Sequence, residues 1–546
     1  MNTNLKSGRG SLFSRVQQFV TDAVRLLFPI EKAELKKFIP MAAMMFIILF
    51  NYNVVRTLKD GFMYGDAGAE VINFLKPAVV LPASFLFVIF YSKVSNMFSK
   101  TNVFYVSVIP FVLFNIVFTY FLYPNTSWLH PNQDKIRALI EAYPRLKPIF
   151  PVYGLWTYSM FYTFSELWGT VGMNLLFWQF ANRIVSVPQS KRFYTSFGLI
   201  GNVGFLLASW MVLKTSRLAA KNTSAFATQF SNMMNVVILL GLLLIVIYWA
   251  LNKYVLSKEV TEVITKKAKK SKPSLVESFK TVFSSKYLGY IMLLIFCYNS
   301  MINLVEVTWK GQVKAYTEVV DSVTGIVNKE ISRANYNAFA AKTNMVMAVI
   351  SIILFPTASF LSRKFKWVIS ASITPTIMVP TSILFFAFLL FPKLSYPLVG
   401  FLPIAASPML LAVLMGALQN IGSKSTKYAL FDPTKEMTYV PLLDEELKSK
   451  GKAAVDVAGS RISKSFGGAV QLFLLFLTGS SQLGIAPYLM LIITFIGILW
   501  FVAINRLSKE YTAAVDKKKQ YDDEASTMKK NGASADEIEE LKAKYF

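Results

Sequence analysis

Apolar and polar positions fall along this chain in long blocks. About twelve stretches of mainly apolar residues, each close to the length a membrane-spanning helix needs, are separated by short polar connections. They run over approximately 39–59, 71–92, 102–123, 151–180, 193–213, 232–252, 286–309, 340–361, 367–391, 396–420, 453–478 and 484–505. Their length predicts helices, since buried strands are far shorter. Aromatic residues gather near many run ends, where one side of the ring meets water and the other lipid. The pattern predicts an all-α integral membrane protein with about twelve transmembrane helices.

The charges between the runs give the chain a direction. Basic clusters sit in the N-terminal segment, at Lys93 and Lys100, at Arg183, Lys191 and Arg192, and across Lys266–Lys272. They recur at Arg363, Lys364 and Lys366, across Lys448–Lys452, and in the C-terminal tail. These positions follow alternate runs. The intervening loops are short or carry mixed charge, with Asp60, Asp66, Glu70 and Glu141. Positive loops stay on the cytoplasmic side, so both termini are expected there, with an even number of spans in a cell (inner) membrane. No secretory signal is expected, because Lys6, Arg9, Arg15, Arg25, Lys32, Lys36 and Lys37 precede the first run. Leu12, Val16, Phe19, Val20 and Leu27 are spaced to form one face of an interfacial helix.

The most polar interior stretch, containing KKAKKSKPS, falls after the sixth run and before the seventh. The chain thus divides into an N-terminal segment (1–37), a six-helix half (38–255), a basic cytoplasmic linker (256–285), a second six-helix half (286–508) and a charged cytoplasmic tail (509–546). Six plus six is the layout of major-facilitator transporters, whose halves are parallel repeats. A short echo agrees with this: Phe50-Asn51-Tyr52-Asn53 in run one and Phe296-Cys297-Tyr298-Asn299 in run seven.

Composition narrows the function classes. Of 546 residues, 54% are hydrophobic and 16% charged, with mean hydropathy +0.45. Soluble domains carry about 45–50% apolar and about 25% charged residues. One Cys (Cys297) permits no intrachain disulfide and no thiolate-rich metal site. One His (His130), read as a surface residue of a polar loop, supplies neither a His-based metal cluster nor a Ser-His-Asp triad. There is no GxxxxGK[ST] loop and no GxGxxG after a strand-like run. No enzyme activity, cofactor or metal is expected. The 57 Lys+Arg against 31 Asp+Glu leave a net charge of +26. Most of that excess lies between the runs, as topology demands, so no specific nucleic-acid partner is expected.

A few charges lie inside or at the ends of the runs, where a central charge costs about 2.5–3.5 kcal/mol on insertion scales. Arg56 and Lys59 are three apart on one face of run one, with Asp60 in reach of Arg56 and the amides Asn51 and Asn53 deeper in the run. These two amides tilt the reading towards a polar cavity, with helix-end snorkelling as the competing reading. Glu166 is the one charge between Pro148 and Ala181. In run seven Asn299, Asn303 and Glu306 form a polar stripe, with Lys310 four beyond Glu306 as a local ion-pair partner. In run eleven Arg461 and Lys464 are three apart among small residues, followed by Gly467-Gly468. Arg56, Lys59, Arg461 and Lys464 against Glu166 and Glu306 leave a site of +2. That suits a polyanion, which lysine meets as a point charge and arginine as a fork. Tyr52, Tyr162, Trp168 and Tyr298 are candidate stacking platforms for a flat base, plain helix packing being the alternative.

Several stretches are familiar at this point: FPIEKAELKKFIPM, SELWGTVGMNLLFWQFAN, SKRFYTSFGLIGNVG, INLVEVTWK, SKSTKYALFDPTKEMTYVPL and KGKAAVDV followed by SKSFGG. They closely resemble the ATP/ADP translocases, the nucleotide transporters of plastids and obligate intracellular bacteria, from about Phe28 to Leu507. The resemblance implies twelve helices, a major-facilitator-like architecture and exchange of ADP for ATP. It carries the family's four important charged positions onto Lys59 in TLKD, Glu166 in SELWG, Glu306 in VEVTWK and Lys464 in SKSFGG. At the last, this chain departs from the Gly-Lys-Ser-Gly-Gly of the family pattern.

The expectation is therefore an ATP:ADP antiporter working by alternating access. Its substrate-binding residues are expected to be Lys59, Glu166, Glu306, Lys464, Arg56, Arg461, Asn299 and Asn303. Its expected partners are ATP and ADP, with phosphate as a further candidate, and the lipid bilayer, and the protein is expected to be monomeric. The alternatives are a proton-coupled nucleotide symporter, with Glu166 or Glu306 carrying the proton, a membrane enzyme acting on phosphorylated lipid, and a nucleic-acid binder.

Overall fold

The computed structural model describes residues 30–256, 284–442 and 459–530, except 186, 222–224, 323 and 402–406, and also 455, 537 and 541. The expected N-terminal interfacial helix, nearly all of the basic linker and the Lys448–Lys452 patch lie outside the described residues.

Among the described residues the chain is almost wholly helical, the one β-bridge joining Val320 and Val327. In lipid every backbone amide needs an internal partner, which a helix provides residue by residue. The main helices are α1 (Leu35–Asp66), α2 (Ala69–Leu75), α3 (Leu81–Met97), α4 (Lys100–Val117), α5 (Trp156–Thr170), α6 (Val187–Ala219) and α7 (Ala225–Ala250). After the linker come α8 (Lys286–Thr317), α9 (Lys329–Lys364), α10 (Trp367–Leu390), α11 (Pro408–Thr426), α12 (Ser460–Thr478) and α13 (Ala486–Lys530).

Among the described residues, nine helices are long and apolar enough to cross a membrane. The other three expected runs, four, ten and eleven, are not among these nine. In run four, Leu155 (φ −123°, ψ 43°) breaks the helix before α5, and the coil widens to π geometry over Val171–Trp178. In run ten, Ser407 is extended (φ −156°, ψ 156°) and α11 starts at Pro408, capped by the Ser407 hydroxyl accepting from the Leu410 amide. Run eleven becomes α12 at Ser460 and stops at Gly479, whose φ of 61° is open to glycine. The expected tail is continuous with the last span, since α13 passes residue 509 without a break.

The long helix α1 lies at the centre, packed on α5, α6, α7 and α9. Helix α6 lies along α9, α2 meets α12, and α8 packs on α11, α12 and α13. Close approach of α6 to α1 depends on Gly204, where a Cβ would stand 2.6 Å from the Phe46 carbonyl. Asparagines tie the same layers. Asn51 donates to the Val237 carbonyl at 3.0 Å, and Asn53 to the Phe205 carbonyl at 2.8 Å and Ser209 Oγ at 2.6 Å. Asn344 of α9 donates to Asn53 Oδ1 at 3.0 Å. Asn51 and Asn53 thus serve helix association, and the sequence cue of a polar cavity at these two positions is corrected.

Candidate functional site

The last three turns of α1 place Arg56, Lys59 and Asp60 against α5 and α8. Lys59 is 1% exposed. Its ammonium lies 2.8 Å from Glu166 Oε1 and 2.9 Å from Asp60 Oδ1, and 3.5 Å from the centroid of the Tyr162 ring. Asp60 turns its other oxygen to Lys310 of α8 at 2.6 Å. Lys310 also reaches Glu306, one turn back on the same helix, at 2.8 Å. Glu306 Oε1 further receives Arg56 at 3.1 Å and Lys424 of α11 at 3.0 Å.

One unbroken chain of ion pairs therefore runs Glu166–Lys59–Asp60–Lys310–Glu306, with Arg56 and Lys424 converging on its last member. It links α5, α1, α8 and α11. Burying an ion is costly unless its partners are close and hydrogen-bonded, and here each is. One more cation, Lys76, stands beside the cluster at the π-helical turn Lys76–Val80, donating to Asn303 Oδ1 at 3.2 Å. Arg56, Lys59, Lys76, Lys310 and Lys424 against Asp60, Glu166 and Glu306 leave +2.

The structure thus gathers Arg56, Lys59, Glu166, Glu306 and Asn303. Asp60 pairs with Lys59 and Lys310, where the sequence spacing had suggested Arg56. Asn299 is turned towards α12, donating to Ser460 Oγ at 3.4 Å. Lys464 has an exposed side chain and meets the site through its carbonyl, which accepts from Asn303 at 2.6 Å. The Arg461 side chain lies outside the described residues. Sequence reasoning missed Lys76 and Lys424 and read Lys310 only as a local partner. Lys310 and Lys424 lie just past the ends of apolar runs, and Lys76 was an isolated cation within one. The quoted motifs INLVEVTWK and SKSTKYALF contained Lys310 and Lys424 all the same.

The aromatic candidates separate in two. Trp168 donates to the Ile48 carbonyl at 3.4 Å, and Tyr298 stacks on Phe431 with centroids 5.0 Å apart, so both are packing. Tyr162 takes the Lys59 ammonium on its face. Half-buried Tyr52 lies 5.7 Å from the Arg56 guanidinium and over Gly169, where a Cβ would meet its ring at 2.4 Å. His130 is half-buried, not a plain surface residue. It shares a 2.6 Å hydrogen bond with Thr157, and burial lowers its pKa.

A second set of contacts sits beyond this cluster, towards the end of α1. Arg333 of α9 pairs with Asp66 among the rings of Phe62, Tyr158 and Phe226. Gln482, in the turn before α13, bonds Thr308, Gln471 and Asn73 side chains.

The likeness to a solved structure agrees with the fold. A bacterial homologue of the iron transporter ferroportin aligns over 88% of this chain and 100% of its own, with TM-score 0.50 and 12% identity. The architecture is of the major-facilitator kind. Relatives by sequence are much nearer. ADP,ATP carrier protein 1 of Rickettsia bellii is 38% identical over 92% of this chain and 99% of its own. ADP,ATP carrier protein 1 of Rickettsia typhi is 37% identical over 92% of this chain and 99% of its own. The family model described as TLC ATP/ADP transporter matches residues 13–511. With that match over nearly its whole length, the chain belongs to the TLC ATP/ADP transporter family, as a multi-pass membrane protein.

Proposed function

We propose that this chain exchanges ATP for ADP by alternating access, with the nucleotide phosphates held by the cations of the cluster. The observation that carries the reading is the triple use of Glu306: one carboxylate oxygen holds Arg56, Lys310 and Lys424. A carboxylate in that position does for the empty site what a phosphate oxygen does for the loaded one. Arg56–Glu306 and Asp60–Lys310 also tie α1 to α8. These helices belong to the two six-helix halves, 38–255 and 286–508, that would rock against each other.

A polyphosphate competing for Arg56 and Lys310 loosens both ties, so the loaded protein reorients and the empty one stays locked. That is the physical content of obligatory exchange. ATP and ADP differ by about one charge, so exchange responds to membrane potential at about 2.3 kcal/mol per charge per 100 mV. In this reading Lys59 and Arg56 hold phosphates with Lys310 and Lys424, and Glu166 holds Lys59 between cycles. Tyr52 offers the base a face, and the transported molecule leaves unchanged. The protein works as a monomer in a cell (inner) membrane with both termini cytoplasmic.

The test is exchange in proteoliposomes. Vesicles loaded with ADP take up labelled ATP, and vesicles without internal nucleotide take up little. Net uptake into empty vesicles driven by a pH gradient would replace exchange by proton symport. No exchange at all, or unchanged uptake by Lys59→Ala, would overturn the reading.

A further inference from the structure

We infer that Lys76 is a phosphate-contacting residue of the transport site, kept unneutralised for the substrate, with Asn303 as its positioning residue. The inference rests on the nucleotide-transport reading and deepens it. Four cations of the cluster are already spoken for. Arg56, Lys59, Lys310 and Lys424 each have a carboxylate oxygen at 3.1 Å or less. Among the described residues, none of the ion pairs includes Lys76. Its hydrogen-bond partner is a neutral amide, Asn303 Oδ1, at 3.2 Å. An ammonium has three donors, so two remain for a ligand. A half-buried, strongly hydrated point charge held by one amide gains most from an anionic oxygen.

The surroundings are built to put it there. Lys76 opens a π-helical turn, with Pro77 next to it lacking an amide proton. Asn303 is oriented from behind, since its amide group donates to the Lys464 carbonyl at 2.6 Å and leaves its oxygen to Lys76. The Gly467-Gly468 pair brings α12 close enough for this. A Cβ on Gly467 would stand 2.9 Å from Asn303 Cβ, and one on Gly468 would stand 3.4 Å from Pro77 Cδ. So the SKSFGG segment, with its exposed Lys464 side chain, contributes backbone that aims an amide at a lysine.

The shared chemistry is a phosphate oxygen, from the end of a nucleotide or from free phosphate, and the test separates the two. Proteoliposomes loaded with ADP carry wild type, Lys76→Gln or Lys76→Arg, and KM and kcat are read for external ATP and external ADP. For Lys76→Gln we expect the KM for ATP to rise about tenfold, and that for ADP distinctly less, with kcat within about threefold. Lys76→Arg, which keeps the charge, should raise the KM for ATP less than Lys76→Gln does. Inorganic phosphate competes weakly with ATP in wild type and no less in Lys76→Gln. Weaker competition in Lys76→Gln, with KM for ATP unchanged, would assign Lys76 to free phosphate and overturn the nucleotide contact.

An equal KM rise for both nucleotides, or a fall in kcat at constant KM, would make Lys76 a structural or gating residue and overturn the inference. Thermal unfolding of the purified variants is the second readout. Lys76→Gln alone should melt with wild type but gain less from added ATP. Equal gain would also overturn the inference. Absence of exchange in wild type would instead defeat the transport reading itself.

Discussion

Arg333 on α9 closes a fork on Asp66 at the last residue of α1. Its Nε donates to one carboxylate oxygen at 3.2 Å and its Nη2 to the other. The rings of Phe62, Tyr158 and Phe226 lie 5.2, 5.6 and 5.8 Å from the guanidinium carbon. Removing one partner strands the other charge, at a cost of about 3–5 kcal/mol for a buried pair. We expect Arg333→Ala to lower the thermal midpoint of the purified protein strongly. Arg333→Lys should recover only part, because lysine reproduces neither the fork nor the flat stacking. A midpoint unchanged in Arg333→Ala would show that the pair carries no stability.

Glu306→Gln tests the lock directly. The neutral amide keeps the shape and releases the hold on Arg56, Lys310 and Lys424. We expect vesicles loaded with ADP to leak it into nucleotide-free buffer through this variant, while wild type retains it. Tight retention by Glu306→Gln, with exchange preserved, would count against a locking role.

Lys59 and Lys464 should differ sharply. Lys59→Ala leaves Asp60 and Glu166 facing each other in a buried site, whereas the Lys464 side chain is exposed and its backbone contact to Asn303 survives truncation. We expect exchange to fall at least about a hundredfold in the first, as for a lost buried charge, and far less in the second. Equal losses would restore the two lysines to equal rank.

Gly204→Ala places a methyl 2.6 Å from the Phe46 carbonyl, a backbone atom that cannot swing aside. We expect a loss of about 1–3 kcal/mol, the usual cost of overpacking, read as a lower thermal midpoint.

Much of this was legible in the sequence. Apolar run length located the helices because a bilayer fixes that length, and run four was found even though Leu155 and a π-helical stretch interrupt its helix. Glu166 and Glu306 stood out because a carboxylate in an apolar run needs a partner. Which partner was not legible. Asp60 sits next to Lys59 in sequence, but its second cation comes from position 310, set by how α1 meets α8. Asn53 looked like a cavity residue and is a helix tie, since a polar group in an apolar run signals a need for a partner without naming it. Lys424 was hidden because the hydropathy pattern ends a run where charges begin, and the cluster lies across that edge.

The unbroken course of α13 has a mechanical consequence. At 1.5 Å per residue its 45 residues extend about 68 Å, against a hydrocarbon thickness of about 30 Å. More than half of that length is therefore in excess of one membrane crossing, continuous with the span and held where Lys518 donates to the Val440 carbonyl at 2.9 Å. A rod rooted in a tilting span works as a pointer. A small angular change inside the membrane becomes a sweep of many ångströms at Lys530, so a dye fixed there would make each turnover visible from the water.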